Sequence, residues 1–405
     1  MDREIFGLFH KPLVTDERIK SKLTVAGDGS SSLEAEDIFS EGDNIQEDVL
    51  YGRDEDGHCY SLLHLLYNQK TTMSIGAPRT CRLTPRLLVV STKHVEKIED
   101  IAILSFRFRL DCNQWFRKNL AQYQQKHLPL TFRPVITLNC NDDLSIEMIS
   151  SHDFDIGKRK TMVSINSLKP QPLKAFQDAA HYLITFLSFA CRSALHHGNI
   201  TLEDSEGVAY ELYYKPGFFP ENSETDNNLF TYFEEDELQD KFSRWIALYD
   251  AAPAIFKLYF LNRLRPLDIT VRFLMAAQSL ECFHRIFLDP GDVSFANRVK
   301  QIVEDAAYHK ILVEVGGLDE IEGLHRKILG TRNYFTHYRD YYKENSNETD
   351  VVFLNFKAEL LIDLFLLSRI GFTPEHFESI KHSVIDDRLN RRQNMNMIYL
   401  GSKKI

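Results

Sequence analysis

The sequence predicts an α+β chain in two parts: a β-rich sandwich or open barrel with one helix packed on it, followed by an all-helical bundle. Three observations carry this. Short runs of β-branched and aromatic residues, separated by Gly/Asp/Ser turns, fill the chain up to residue ~165. Beyond Phe230, apolar residues recur at three- and four-residue steps almost without interruption. Between the two, Pro216-Gly217 and the polar stretch Pro220–Asn228 mark a boundary, giving parts of residues 1–222 and 223–405.

In the first part, Leu23-Thr24-Val25 and Leu33-Glu34-Ala35 flank Gly27-Asp28-Gly29-Ser30, and Val49-Leu50-Tyr51 and Cys59–Leu62 flank Asp56-Gly57. Both read as hairpins. Leu87–Val90, Ile103–Phe108 and Val135–Leu138 continue the strand pattern. Leu173, Phe176, Ala180, Leu183 and Leu187 then form a helical stripe opened by Pro172, and Ile200–Leu202 and Tyr210–Tyr214 return to strand. In the second part, Phe242, Trp245, Ile246 and Tyr249 lie on one face, and Pro253 breaks the run. Helices follow at Ile269–Leu288, Phe295–Tyr308, Leu318–Leu329 and onward, Phe353–Arg369 and Glu375–Ile385. No internal repeat stands out.

Composition excludes several classes. With 43% apolar and 26% charged residues among 405, the chain is of ordinary globular composition. No apolar run approaches the ~20 residues of a membrane span, and Met1–Ile5 lacks a secretory signal, so a cytoplasmic protein without membrane association is expected. Six scattered cysteines without a CxxC pair read as reduced thiols. The net charge of −10 argues against a general nucleic-acid coat but permits a locally basic nuclease site. No Gly-rich phosphate loop, GKS/T motif or carboxylate cluster suited to Mg²⁺ occurs, so neither cofactor nor metal is expected.

The chemistry concentrates in Leu329-Gly330-Thr331-Arg332-Asn333-Tyr334-Phe335-Thr336-His337-Tyr338. Asn333 and His337 are four apart, so on a helix they share a face and the amide can orient the imidazole. Arg332 is five residues before His337, about 140° round a straight helix. The two share a face only if the Arg stem reaches round or the helix starts irregularly at Gly330-Thr331. An Arg that binds phosphate and a His that moves protons near neutral pH are what metal-free RNA cleavage requires. Arg-x4-His also occurs at Arg53/His58, in a hairpin turn, and at Arg192/His197, running off a helix end. Only Arg332/His337 has an amide four residues before the His and helical sequence on both sides.

That run resembles the Arg-Asn-x-x-x-His signature of HEPN domains. Arg272–Arg285 is similar to the first core helix of the ApeA-like HEPN branch, and Tyr51–Leu63 and Ser105–Arg109 are similar to the β-rich domain that precedes it. The resemblance implies a C-terminal HEPN ribonuclease domain that dimerises through the motif helix. It further implies a bacterial antiviral, growth-halting endoribonuclease acting on RNA, tRNA among the candidates, with the N-terminal domain sensing a phage protein trigger. Arg332, Asn333 and His337 are then the catalytic residues. Glu281, a carboxylate in an apolar helix, is expected to pair with Arg332, His337 or Arg285. Thr336, Tyr338 and Arg339 are rim candidates. Two other readings stay open: a non-catalytic HEPN scaffold binding RNA or a partner, and a toxin inactivated by nucleotidylation of Tyr334 or Tyr338. A buried, fully bonded His337 would favour the scaffold.

Overall fold

The computed structural model describes residues 3–12, 14, 17–27, 29–37, 39, 49–71, 79–112, 115–116, 135–153, 158–195, 197–214, 228–230, 237–264, 267–305, 308, 323–337 and 348–380. The boundary stretch Pro220–Asn227, His196, Tyr338, Arg339 and the basic C-terminal residues lie outside them. The chain forms two compact units. One comprises Met1–Asn113, Leu128–His181 and Leu195–Phe219; the other comprises Gln114–His127, Tyr182–Ala194 and Pro220–Ile405. The helix expected on the β-rich part, α1 (Leu173–Cys191), contributes its residues up to His181 to the first unit and the rest to the second.

The first unit is one antiparallel sheet of twelve strands: β1 (Arg3–His10), β2 (Ile19–Val25), β3 (Ser31–Ala35), β4 (Val49–Arg53), β5 (Cys59–Thr71), β6 (Thr80–Ser91), β7 (Ile103–Leu110), β8 (Val135–Asn139), β9 (Leu144–Asp153), β10 (Lys158–Gln171), β11 (His197–Asp204) and β12 (Ala209–Tyr213). The order is β3-β2-β1-β4-β5-β6-β12-β11-β7-β10-β9-β8. An added pairing of β3 with β6, Leu33 opposite Leu83, closes the first six strands into a barrel. Closure removes the exposed strand edges that an open barrel would leave. Inward positions follow the two-residue period, so Leu23, Val25, Leu33, Ala35, Leu50 and Leu62 fill the interior. Gly52 leaves room for the Phe9 ring; a Cβ there would stand 2.2 Å from it. The remaining strands continue from β6 as an open sheet, with Phe106 of β7 stacked on Phe176 of α1.

A local repeat, absent from the sequence reading, emerges in this unit. Asp54-Glu55-Asp56-Gly57-His58-Cys59-Tyr60 and Asp204-Ser205-Glu206-Gly207-Val208-Ala209-Tyr210 make the same hairpin turn. In each, the Asp carboxylate accepts the backbone N–H four residues on, at 2.8 and 2.9 Å, and the Tyr hydroxyl six residues on, at 2.7 and 2.6 Å. Each turn passes through a left-handed Gly, φ +88° and +78°. Burial opposes the charge on both Asp carboxyls, but these hydrogen bonds outweigh it and hold both below the ordinary carboxylate range.

The second unit is helical: α2 (Leu238–Ala251), α3 (Pro253–Leu264), α4 (Ile269–Phe287), α5 (Phe295–Val303), α6 (Leu324–His337), α7 (Glu348–Arg369) and α8 (Pro374–Ile380). Pro253 opens α3 at the position where its missing N–H costs nothing. Asp268 caps α4 by accepting from Thr270 N–H at 2.8 Å, and α4 ends before Asp289-Pro290. α5 ends at Val303, short of Tyr308, and α7 starts at Glu348, earlier than expected. α4 packs against α3, α5, α6 and α7, and Phe283 on it meets the rings of Phe256 and Phe365. Two buried carboxylates on α7 are held in place: Glu359 by Arg272 at 2.7 Å and Asn355 at 2.8 Å, and Asp363 by the Tyr259 hydroxyl at 2.7 Å. Such pairs fix the helix register, because separating either leaves a charge buried. Among the described residues, no helix is long and apolar enough to cross a membrane.

Candidate functional site

α6 presents a buried stripe of Leu324, Ile328 and Thr331, spaced at three and four, so the helix lies with this face inward against α4 and α5. The helix passes through Gly330 without a break, so Arg332 and His337 sit on different faces, as their spacing dictates for a straight helix. Arg332 is turned toward the neighbouring helices. Its guanidinium donates to Glu281 Oε2 at 3.3 Å and lies 4.4 Å above the centre of the Phe295 ring. Glu281 is also reached by Arg285, through its other oxygen at 3.2 Å. The Arg332 and Glu281 side chains are 33% and 20% exposed, so the pair contributes on the order of 1 kcal/mol and serves mainly to aim the guanidinium. A guanidinium carries five N–H donors. Among the described residues only Glu281 takes one from Arg332, and others remain for a ligand.

His337 is the last residue of α6 and is exposed, with no hydrogen bond among the described residues. Asn333 is half-buried one turn before it, and no hydrogen bond joins the two among those residues. Thr336 is exposed beside His337. Tyr334 is half-buried and makes an edge contact with Phe335, ring centres 5.2 Å apart. Glu281 therefore pairs with two of its three expected partners, Arg332 and Arg285. Burial and the Glu281 charge push the neighbouring Cys282 thiol upward, which keeps it protonated beside the site.

Residues 4–247 match the family model of the ApeA N-terminal domain 1, and residues 274–376 match that of the Apea-like HEPN domain. The chain belongs to the ApeA-like HEPN family. No curated protein and no solved structure matches it. The Apea-like HEPN match covers the span from within α4 into α8, so Glu281, Arg332, Asn333 and His337 all fall inside it.

The same HEPN domain holds a second Arg–His pair that the sequence reading did not single out. Arg298 on α5 is fully buried and donates to His284 Nδ1 at 2.9 Å, Asp289 O at 2.6 Å and Val293 O at 3.0 Å, and also to Gly291 O. Since His284 accepts at Nδ1, its Nε2 carries the proton and donates to Gln301 Oε1. The charge is balanced by carbonyl dipoles after the end of α4, with no carboxylate among these partners. An Arg inside the stripe Phe295-x2-Arg298-Val299-x2-Ile302 was the available signal, since an Arg on an apolar face is buried only with partners.

Proposed function

We propose that this chain is a metal-independent endoribonuclease of antiviral defence, whose HEPN domain cuts RNA by attack of a 2′-hydroxyl on its own phosphate. Arg332 binds the phosphate and offsets the charge that grows on it in the transition state. His337 moves a proton, as base at the 2′-oxygen or as acid at the leaving 5′-oxygen. Asn333 orients the imidazole once RNA is bound. The observation that carries this reading is the exposure of His337, whose imidazole is open to solvent at the end of α6. A scaffold would favour a His that is buried and saturated. Metal independence is supported by the donor set, because both oxygens of Glu281 already face guanidinium groups.

One imidazole is short of an acid–base pair, so the active form is a homodimer in which two motif helices line one cleft. The cytoplasm is its compartment, and the N-terminal domain senses a phage trigger that raises cleavage above the basal rate. Expression of the wild type and of His337→Ala, with total RNA resolved on a gel, tests the reading. Fragments, tRNA among them, and growth arrest are expected for the wild type alone. Equal fragmentation by both proteins would remove His337 from the mechanism. Mixing Arg332→Ala with His337→Ala subunits should restore part of the activity, and no recovery would sink the shared site.

A further inference from the structure

A cavity of about 1030 Å³ lies in the first unit against the outer face of the barrel strands β1 to β4 and β6. Its size is at the upper end of small-ligand sites. The outward residues of β1 are out of keeping with a solvated strand. Phe6 and Leu8 line the cavity at 67% and 41% exposure, two large apolar side chains on the face opposite the buried Ile5 and Phe9. Leu8 is flanked by two cations across the sheet: Lys20 opposite it on β2 and Arg53 opposite it on β4.

The charge around these residues is unequally compensated. Lys22 is neutralised by Glu4 at 2.7 Å and Arg82 faces Glu34 at 3.8 Å. Lys20 and Arg53 have no carboxylate partner among the described residues; the Arg53 guanidinium bonds only to Cys59 Sγ at 3.3 Å. Asp54 is already occupied by Tyr60 and His58. Beyond Arg53, His94 stacks on Tyr51 at 4.4 Å and meets His10 edge-on, and its Nδ1 is buried with no hydrogen-bond partner among the described residues. Strands stand about 4.8 Å apart and side chains on one face repeat every ~6.8 Å. Two cations without a carboxylate partner among the described residues thus straddle a point one side-chain step from an open aromatic ring, with the unbonded His94 Nδ1 at the far end.

We infer that this cavity binds a nucleotide, its base stacked on Phe6 and its phosphates held between Lys20 and Arg53. A base has an apolar face that an exposed ring takes up, and phosphate oxygens accept from a guanidinium in pairs. A polynucleotide fits less well, because four carboxylates (Glu34, Glu36, Asp54, Glu55) share the lining and would repel a long polyanion. The inference is independent of the nuclease reading, since binding is measured without cleavage.

The test is calorimetric titration of the full-length chain with ATP, GTP, CTP and UTP, with adenosine, inorganic triphosphate and a ten-residue oligouridylate as comparisons. At least one nucleoside triphosphate should saturate at one per chain and bind more tightly than adenosine or triphosphate alone. Phe6→Ala should weaken that binding by about five-fold or more, the share of one stacked base, and Arg53→Ala by about ten-fold. Phe6 is mostly exposed, so melting of the ligand-free Phe6→Ala protein should match the wild type. Arg53→Lys should recover part of the affinity. Binding of none of the four triphosphates, equal binding by wild type and variants, or binding of the oligouridylate alone would each overturn the assignment; the last would mark the face as a single-strand platform.

Discussion

Arg298 and His284 lie 2.9 Å apart and neither has exposed surface, whereas Arg332 and His337 point from different faces of α6 and both reach solvent. Judged by contact alone, the first pair is the better arginine–histidine couple. Judged by chemistry, it is spent: three carbonyls and His284 Nδ1 take the Arg298 donors, and Gln301 takes the remaining proton of His284. A saturated pair tightens the turn between α4 and α5. An open pair is available to a substrate. The contrast teaches that a reactive Arg and His are recognised by what they leave unsatisfied.

The largest effect should come from breaking the buried pair. Arg298→Ala leaves three carbonyls and an imidazole without partners in the interior, so it should destabilise the helical unit by about 3–5 kcal/mol. Calorimetric melting would register it, and an unchanged melting temperature would mean that the pair holds nothing. Arg298→Lys should recover little, since an ammonium lacks the planar fork that reaches several acceptors.

Arg332→Ala sharpens the other side of the comparison. Cleavage should fall by about 10²–10³, as for loss of a transition-state charge partner, while melting stays within roughly 0.5 kcal/mol of wild type. A drop in stability like that of Arg298→Ala would make the two arginines equivalent and remove the distinction.

The twin hairpins of the first unit allow the same kind of test with acid. Asp54 and Asp204 have carboxyls held below their ordinary range, so their contribution is complete above the unfolded value near ~3.9 and is lost as pH falls through the folded one. Asp204 has an added ion pair with Lys93 at 3.3 Å, so Asp204→Asn should cost more than Asp54→Asn, about 2 kcal/mol. Both variants should flatten the acid limb of stability against pH. A steeper limb in either would reverse the sign assigned to that carboxyl.

The smallest effect belongs to Glu281→Gln. It keeps the shape and removes the charge that aims Arg332, so cleavage should change a few-fold, and stability by about 1 kcal/mol or less. A loss as large as that of Arg332→Ala would promote Glu281 from positioning to direct participation.

Much of this was legible in the residues. Asp268, Asp289-Pro290 and Pro253 bound their helices as local chemistry requires, and the Asp56-Gly57 turn predicted its hairpin. The motif run fell on a helix with Asn333 and His337 on adjacent turns, although no bond joins them among the described residues. β1 stayed hidden because it is apolar on both faces: Ile5 and Phe9 point in while Phe6 and Leu8 point out, which erases the period of two. β9 and β10 were legible and not read, since Leu144, Ile146, Met148, Val163 and Ile165 alternate inward. Closure of the barrel depends on Leu33 meeting Leu83, a pairing between distant strands that no local pattern encodes. The repeated hairpin escaped notice because its two copies share only Asp, Gly and Tyr at matching positions. His197, expected at a helix end, opens β11 and accepts or donates at Tyr214, 3.2 Å away.

The most direct test of the central claim is cleavage of RNA by purified wild type and His337→Ala in excess EDTA, with the new ends analysed and melting matched between the proteins. The open pair predicts wild-type products ending in a 2′,3′-cyclic phosphate, and a variant that melts like wild type but cleaves about 10²–10³ more slowly. Full cleavage by His337→Ala, or wild-type activity that vanishes in EDTA and returns with Mg²⁺, would contradict it.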